Sequence, residues 1–280
     1  MDGQIQTYIE ELFHSHYDVQ QSGGISLIEI GSEALPYLID ALPNAPAPVR
    51  ALIAWIMGEI GDPAAMETLI ELLHDSDSKV QEWSARALGE IGDDRAVELL
   101  LELLQDGMVG TRRNVAAALG WLGDDRAVPY LINAIHDVDP IMRGNIAASL
   151  GTLGDRSAVM SLMQLLSDAD GWVRIRAAKS LGQLRDCDAT ETLVYHLLND
   201  DFEWVRYNAV WSLGQIHDGR SFEPLLMALN DPSANVRRGA VEALANFSDP
   251  RAIESLRECL HDEDSSVRET AHIALQRLNY

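Results

Sequence analysis

A Leu-Gly step recurs down the chain in strict phase, at Leu88-Gly89, Leu119-Gly120, Leu150-Gly151 and Leu181-Gly182, each 31 residues after the last. It returns one residue late at Leu213-Gly214, then changes to Leu244-Ala245 and Leu275-Gln276. Internal repetition at a period of 20–50 residues marks stacked supersecondary units, each unable to bury its apolar face alone. Such an array presents a long surface rather than a single deep pocket. The aspartates closing each phrase (Asp62, Asp93, Asp124, Asp155, Asp186, Asp218 and Asp249) set eight units: 32–62, 63–93, 94–124, 125–155, 156–186, 187–218, 219–249 and 250–280. Residues 1–31 fit poorly and are expected to cap the array, which forms one continuous domain.

Each unit reads as two helices. In the second, Met66, Leu69, Ile70 and Leu73 follow the 3,4-spacing of an amphipathic helix over 64–73. The run His74-Asp75-Ser76-Asp77-Ser78 breaks it, and a second helix is predicted over 79–91, buried through Val80, Ala87, Leu88 and Ile91. The glycines follow helical stretches and read as C-terminal caps rather than a phosphate loop, and Asp93 caps the next helix. In the capping unit a helix is expected over 4–13 and another over 25–30, with Gly23-Gly24 interrupting between them. The late step places a one-residue insertion near Cys187, read as a bulged turn. No segment alternates with period two, so no strand is placed and the fold class is all-α, an α-solenoid.

Composition narrows the function classes. No apolar run reaches the eighteen or so residues that span a bilayer, and no basic-then-apolar leader opens the chain, so membrane insertion is not expected. The formal charge of −23 argues against nucleic acid, which needs a basic stripe. Cys187 and Cys259 sit two repeats apart, too far for a disulfide, and a reducing, cytoplasmic setting is expected.

Six units carry an aspartate six residues before an arginine: Asp106/Arg112, Asp137/Arg143, Asp168/Arg174, Asp200/Arg206, Asp231/Arg237 and Asp262/Arg268. Asn44 stands before Arg50, and Gln81 follows Asp75. This two-helix unit resembles the HEAT repeat, in the short form found in phycobilisome lyases, over about nine-tenths of the chain. The resemblance implies a right-handed superhelix of about eight helix pairs with the second helices on its concave side. A ladder present in nearly every unit reads as inter-repeat bonding rather than an anion site. His74, His136 and His261 occupy equivalent positions about 20 Å or more apart, and no His-Glu pair occurs, so no metal site is assigned.

Function is then expected at the variable positions of the second helices. Numbered from the conserved apolar residue at the start (Val80 as 0), positions 0, +4, +7, +8 and +11 share the buried face, while +2, +6 and +10 point away and +3 lies on the border. The candidate groove comprises Trp83, Arg86, Arg113, Asn114, Trp121, Asn145, Arg176, Lys179, Tyr207, Asn208 and Trp211. Exposed Trp, Tyr and Arg are the types enriched at binding hot spots, and the asparagines are placed to clamp a peptide backbone. Trp172 and Trp204 are read as filling gaps between repeats. The groove's cations outnumber its acids, whereas Glu67, Glu71, Glu98 and Glu102 make the first helices acidic. The reading is a non-enzymatic scaffold without cofactor that binds an acidic or extended protein partner, with a second HEAT-like subunit as a further partner. The alternative implied by the resemblance is a phycobilin lyase subunit, its aromatics stacking a bilin tetrapyrrole.

Overall fold

The computed structural model describes residues 2–93, 95–107 and 109–278, the side chain of Asp106 excepted. All regular structure among them is helical. The N-terminal cap is the pair α1 (Asp2–Leu12) and α2 (Tyr17–Ile30). The repeats follow as α3 (Leu35–Ala41) with α4 (Ala47–Ile60), α5 (Met66–Leu72) with α6 (Ser78–Ile91), and α7 (Arg95–Asp106) with α8 (Val109–Leu122). Next come α9 (Val128–Asn133) with α10 (Pro140–Leu153), and α11 (Val159–Leu165) with α12 (Gly171–Leu184). The last are α13 (Thr190–Asn199) with α14 (Glu203–Ile216), α15 (Phe222–Ala228) with α16 (Ala234–Phe247), and α17 (Ile253–Glu258) with α18 (Ser265–Arg277). The chain divides into two compact units, Met1–Tyr130 and Leu131–Tyr280. The all-α solenoid expected from the repeat is what forms.

The buried stripe follows the numbering. Val80, Val173, Val205, Val236 and Val267 at position 0, and Leu88, Leu150, Leu181, Leu213 and Leu244 at +8, are at most 1% exposed. Each such side chain contributes about 1.5–3 kcal/mol through its removal from water. The repeat-closing aspartates cap as expected: their side chains accept from the backbone N–H two residues on, as Asp62 does from Ala64 at 2.8 Å and Asp155 from Ser157 at 2.8 Å. What they initiate is a single 3-10 turn, such as Pro63–Ala65, which then opens into the α-helix; α5 therefore starts at Met66 rather than at 64.

Three expectations are corrected. Gly23-Gly24 does not interrupt a helix, because α2 runs through it. A β-carbon on Gly23 would stand 2.8 Å from the Glu11 Cβ, so the missing side chain lets α1 and α2 touch. The Leu-Gly glycines are likewise not caps but lie inside the second helices. A β-carbon on Gly182 would meet the Ser212 Oγ and lie 2.8 Å from the Ser212 Cα, and one on Gly58 would lie 2.8 Å from the Ala87 Cα. The phrase conserves glycine there because successive second helices make backbone contact.

The third concerns the insertion. The turn at Cys187–Ala189 matches its counterparts, with Asp186 accepting from the Asp188 N–H at 3.0 Å. The extra residue is absorbed at the other end of α13, which stays helical to Asn199. There the Asp200 N–H donates to His196 O, four residues back, where Asp168 and Asp231 reach only three back, to Leu165 and Ala228.

True caps follow the second helices, at Gly61, Gly92, Gly123 and Gly154, all with φ between 65° and 77°. Later repeats place Arg185, His217 and Ser248 in the same left-handed region, at φ of 52°, 59° and 51°. A β-carbon is disfavoured there, whereas glycine is not. Ser248→Gly is expected to stabilise the chain by about 0.5–1 kcal/mol, read as a higher urea midpoint. An unchanged or lower midpoint would show that the left-handed cap carries no strain.

Candidate functional site

Within each compact unit the second helices pack on one another along their length, while first helices meet their counterparts sparsely. The second helices are therefore the closely stacked row of each unit, and their solvent side is the candidate surface.

The Asp/Arg ladder fixes the spacing of that row. Arg143, Arg174, Arg206, Arg237 and Arg268 each hold their own turn through a hydrogen bond to the backbone carbonyl of the preceding aspartate, as Arg174 Nη1 does to Asp168 O at 3.0 Å. The rest of the guanidinium reaches the carboxylate of the following repeat. Arg174 Nε and Nη2 donate to Asp200 Oδ2 and Oδ1 at 2.8 and 2.9 Å, and Arg143, Arg206 and Arg237 repeat the fork on Asp168, Asp231 and Asp262. In the first unit Arg50 makes the same fork on Asp75. Gln81 keeps the turn bond, donating to Asp75 O at 2.7 Å. Arg112 donates to Gly107 O at 3.2 Å, and the Asp106 carboxylate expected beside it lies outside the described residues. Burial works to raise the Asp200 pKa, but hydrogen bonds from Arg174, the Phe202 N–H and His196 outweigh it and hold the group below the usual carboxylate range. For Asp75 and Asp262 the arginine fork is the leading cause of the same depression.

All eleven candidate residues are at least partly solvent-accessible, and they divide between the two units. On the first, Trp83, Arg86, Arg113, Asn114 and Trp121 lie on α6 and α8. Trp121 is 49% exposed, its Cβ seated over Gly89. The cations here meet carboxylates on the same face: Arg86 Nε bonds Glu90 Oε1 at 2.7 Å while its guanidinium sits 5.2 Å from the Trp83 ring, and Lys79 Nζ bonds Glu82 at 2.7 Å. Trp55 Nε1 donates to Glu59 at 2.9 Å.

The second unit is arranged differently. Asn145, Arg176, Lys179, Tyr207, Asn208 and Trp211 lie on α10, α12 and α14. Arg176 Nη1 donates to the neutral Asn145 Oδ1 at 2.6 Å, and Lys179 has no ion-pair partner among the described residues. Arg238 Nη1 reaches Glu242 at 3.4 Å. The asparagine clamp is not presented as expected: Asn208 Nδ2 is occupied by Trp204 O at 2.7 Å, Asn145 by Arg176, and Asn114 Nδ2 by Gln81 Oε1 at 3.4 Å.

Trp172 and Trp204 do not fill gaps. They occupy position −1 in the first turns of α12 and α14 and stay 66% and 40% exposed, as does Ile141 at the equivalent place on α10, at 53%. Trp172 leans edge-on toward Phe202 at 6.2 Å and Trp204 toward Tyr207 at 5.9 Å. At 100° per residue, position −1 stands one helical turn before +3 and on the same face as +6 and +10. Starting the count at the buried valine hid them, although the same periodicity would have found them.

Two clefts lined by described residues of the second unit open on this face. One, of about 190 Å³, lies between α10 and α12 and is lined by Pro140, Ile141, Gly144, Trp172, Val173 and Arg176, with Asp170 at its edge. The other, of about 100 Å³, lies between α14 and α16, floored by Gly214, Gly239 and Ala243, walled by Tyr207 and Trp211, with Gln215, Glu242 and Asn246 at its rim. The remaining chemistry-bearing side chains gather into no site. His74, His136 and His261 are separately exposed, and among the described residues no three His, Cys, Asp or Glu are placed to hold a metal. Both cysteines are free; burial, then the nearby Asp262 and Glu258 carboxylates, pushes the Cys259 thiol up to about 11. No helix among the described residues is long and apolar enough to cross a membrane.

The family model for HEAT repeats matches residues 5–78, 35–110, 69–144, 128–197 and 190–276. No curated protein matches the chain by sequence. Among solved structures, the Escherichia coli protein YibA superposes with a TM-score of 0.67 at 20% identity, over 93% of this chain and 96% of its own. An engineered protein superposes at 0.56 with 22% identity, over 99% and 89%. The CpcE–CpcF complex of phycocyanin lyase from Nostoc aligns at 0.48 with 22% identity, over 86% and 93%, a likeness too slight to bear on activity. The chain belongs to the HEAT-repeat family.

Proposed function

We propose that this chain is a non-enzymatic scaffold that binds another protein along its second-helix face. The observation that carries the reading is the solvent-facing aromatic alignment on successive helices, with Trp172, Trp204, Tyr207 and Trp211 on α12 and α14 of one unit. Rigid aromatic surface of this kind, left without a cover, is what interfaces use as anchors. The size of the clefts favours a macromolecular ligand over a bilin. At about 190 and 100 Å³ they fall below the roughly 300–1,000 Å³ of pockets that enclose small ligands. Side chains of a partner fit such clefts; a tetrapyrrole is not enclosed by either.

The test is affinity capture with wild-type bait and a Trp172→Ala/Trp211→Ala bait of equal helicity by circular dichroism. A specific partner is expected to bind the variant about thirtyfold more weakly or worse, the size of one hot-spot truncation of about 2 kcal/mol. Equal affinity for both baits rejects this face as the interface. A shift in the absorbance of added phycocyanobilin at micromolar protein would favour the tetrapyrrole reading instead.

A further inference from the structure

Resting on that reading, we infer that the second unit's face takes an extended, acidic segment of the partner, with a carboxylate opposite Arg176 and Lys179, a bulky apolar side chain in the α10/α12 cleft and a smaller polar one in the α14/α16 cleft. Charge separates the two units. At the face positions −1, +2, +3, +6 and +10, helices α4, α6 and α8 carry Lys79, Arg86 and Arg113 against Glu59, Glu82 and Glu90, which balance. Helices α10 to α16 carry Arg176, Lys179 and Arg238 against Glu242 alone. Glu242 lies within reach of Arg238, which leaves Arg176 on a neutral amide oxygen and Lys179 with no counter-ion among the described residues. Two adjoining cations with no ion pair among the described residues, one helical turn apart on α12, stand out in a chain of formal charge −23. A carboxylate delivered there meets an attractive local field, whereas a basic segment would be repelled at α12.

The spacing selects an extended segment. Second helices stand about 8–10 Å apart, so the α10/α12 cleft and the α14/α16 cleft are separated by about 20 Å. An extended chain rises about 3.3 Å per residue and spans that interval in about six residues. A helix rising 1.5 Å per residue would need about thirteen and would set only one face against the row. Arg176 both lines the first cleft and begins the cationic pair, so the acidic side chain falls between the two anchored side chains. The rims differ as well. The first cleft is mostly apolar, with Pro140, Ile141, Trp172 and Val173, whereas Gln215, Glu242 and Asn246 give the second polar edges and a small, glycine-floored base. This favours a bulky apolar residue in the first and a smaller, hydrogen-bonding one in the second.

The experiment is selection of random linear twelve-residue peptides, displayed on phage, against the full chain. The selected pools are expected to be enriched in Asp and Glu and to carry an aromatic or large aliphatic residue within a few positions of the acid. Pool binding is expected to fall on the order of tenfold with Lys179→Glu, to weaken with added salt, and to change less than about twofold with Arg257→Glu, an exposed charge on the first helix α17. Pools not enriched in acids, pools indifferent to Lys179→Glu, or no enrichment at all would each overturn the inference. Failure here is distinct from failure of the scaffold reading: a folded partner whose capture is still lost with Trp172→Ala/Trp211→Ala would show that the face binds, but not through a linear acidic segment.

Discussion

Asp200→Ala is expected to lower the unfolding free energy by about 3–5 kcal/mol, the cost of removing one partner from a buried ion pair. The Asp200 side chain is 4% exposed and accepts from the Arg174 fork, from the Phe202 N–H at 3.0 Å and from His196 Nδ1 at 3.2 Å. Its loss leaves the Arg174 guanidinium, itself 14% exposed, without a buried counter-charge, and frees a turn N–H that has no other acceptor. Asp201→Ala is the control. It removes a neighbouring carboxylate that also reaches Arg174, at 3.2 Å, but is 95% exposed, so a change within about 0.5 kcal/mol is expected. Urea titrations followed by circular dichroism read both. Equal midpoints for the two variants would show that the ladder is ornamental to stability and that apolar packing alone spaces the repeats.

The second large effect is at Gly182. A glycine inside a helix costs about 1 kcal/mol relative to alanine, so Gly182→Ala would stabilise an isolated α12. In the folded chain the added β-carbon would stand 2.8 Å from the Ser212 Cα, an atom of backbone that no side-chain rotation can clear. The helices must separate, which undoes the Ser212 Oγ hydrogen bond to Ala178 O at 2.7 Å and loosens the Leu181 and Leu213 packing beside it. Overpacking typically costs 1–3 kcal/mol, so the expected net for alanine is a loss of about 1–2 kcal/mol, and for Gly182→Leu about 3 kcal/mol or more. A thermal midpoint for Gly182→Ala at or above wild type would mean the propensity gain wins and the close approach is slack.

Sequence periodicity carried the helix pairs, their phase and the buried stripe because burial recurs at fixed intervals and overrides everything local. It misplaced function-neutral details where two structural roles share a residue type. Glycine serves both as a left-handed cap at Gly154 and as a contact point at Gly151, and only the neighbouring helix distinguishes them. The insertion was assigned to the wrong end of its helix because spacing counts residues between landmarks without saying where the extra one goes. On the candidate face, side-chain type and angle were enough to place Lys179, Tyr207 and Trp211 toward solvent. Which cations are neutralised depended on partners such as Glu59 and Glu90, whose reach no spacing rule reports. The same holds for the asparagines, since Asn208 sits at the expected angle while one amide hydrogen bonds backward along its own helix.

The forked arginines also give the array a direction. Between Arg143 and Asp262 each module carries a plug that points only toward the C-terminus and a socket that opens only toward the N-terminus. A copy of one module, cut anywhere so long as it is whole, brings one plug and one socket and can be inserted without leaving either unmatched. Gln81 is a module without a plug, and a copy of it inserted in that stretch would leave the next socket unfilled. Lengthening by duplication is therefore open to the C-terminal modules and obstructed at the second, and the fork accepts one extra residue, since Arg174 reaches Asp200 across the 32-residue step as Arg143 reaches Asp168 across a 31-residue one.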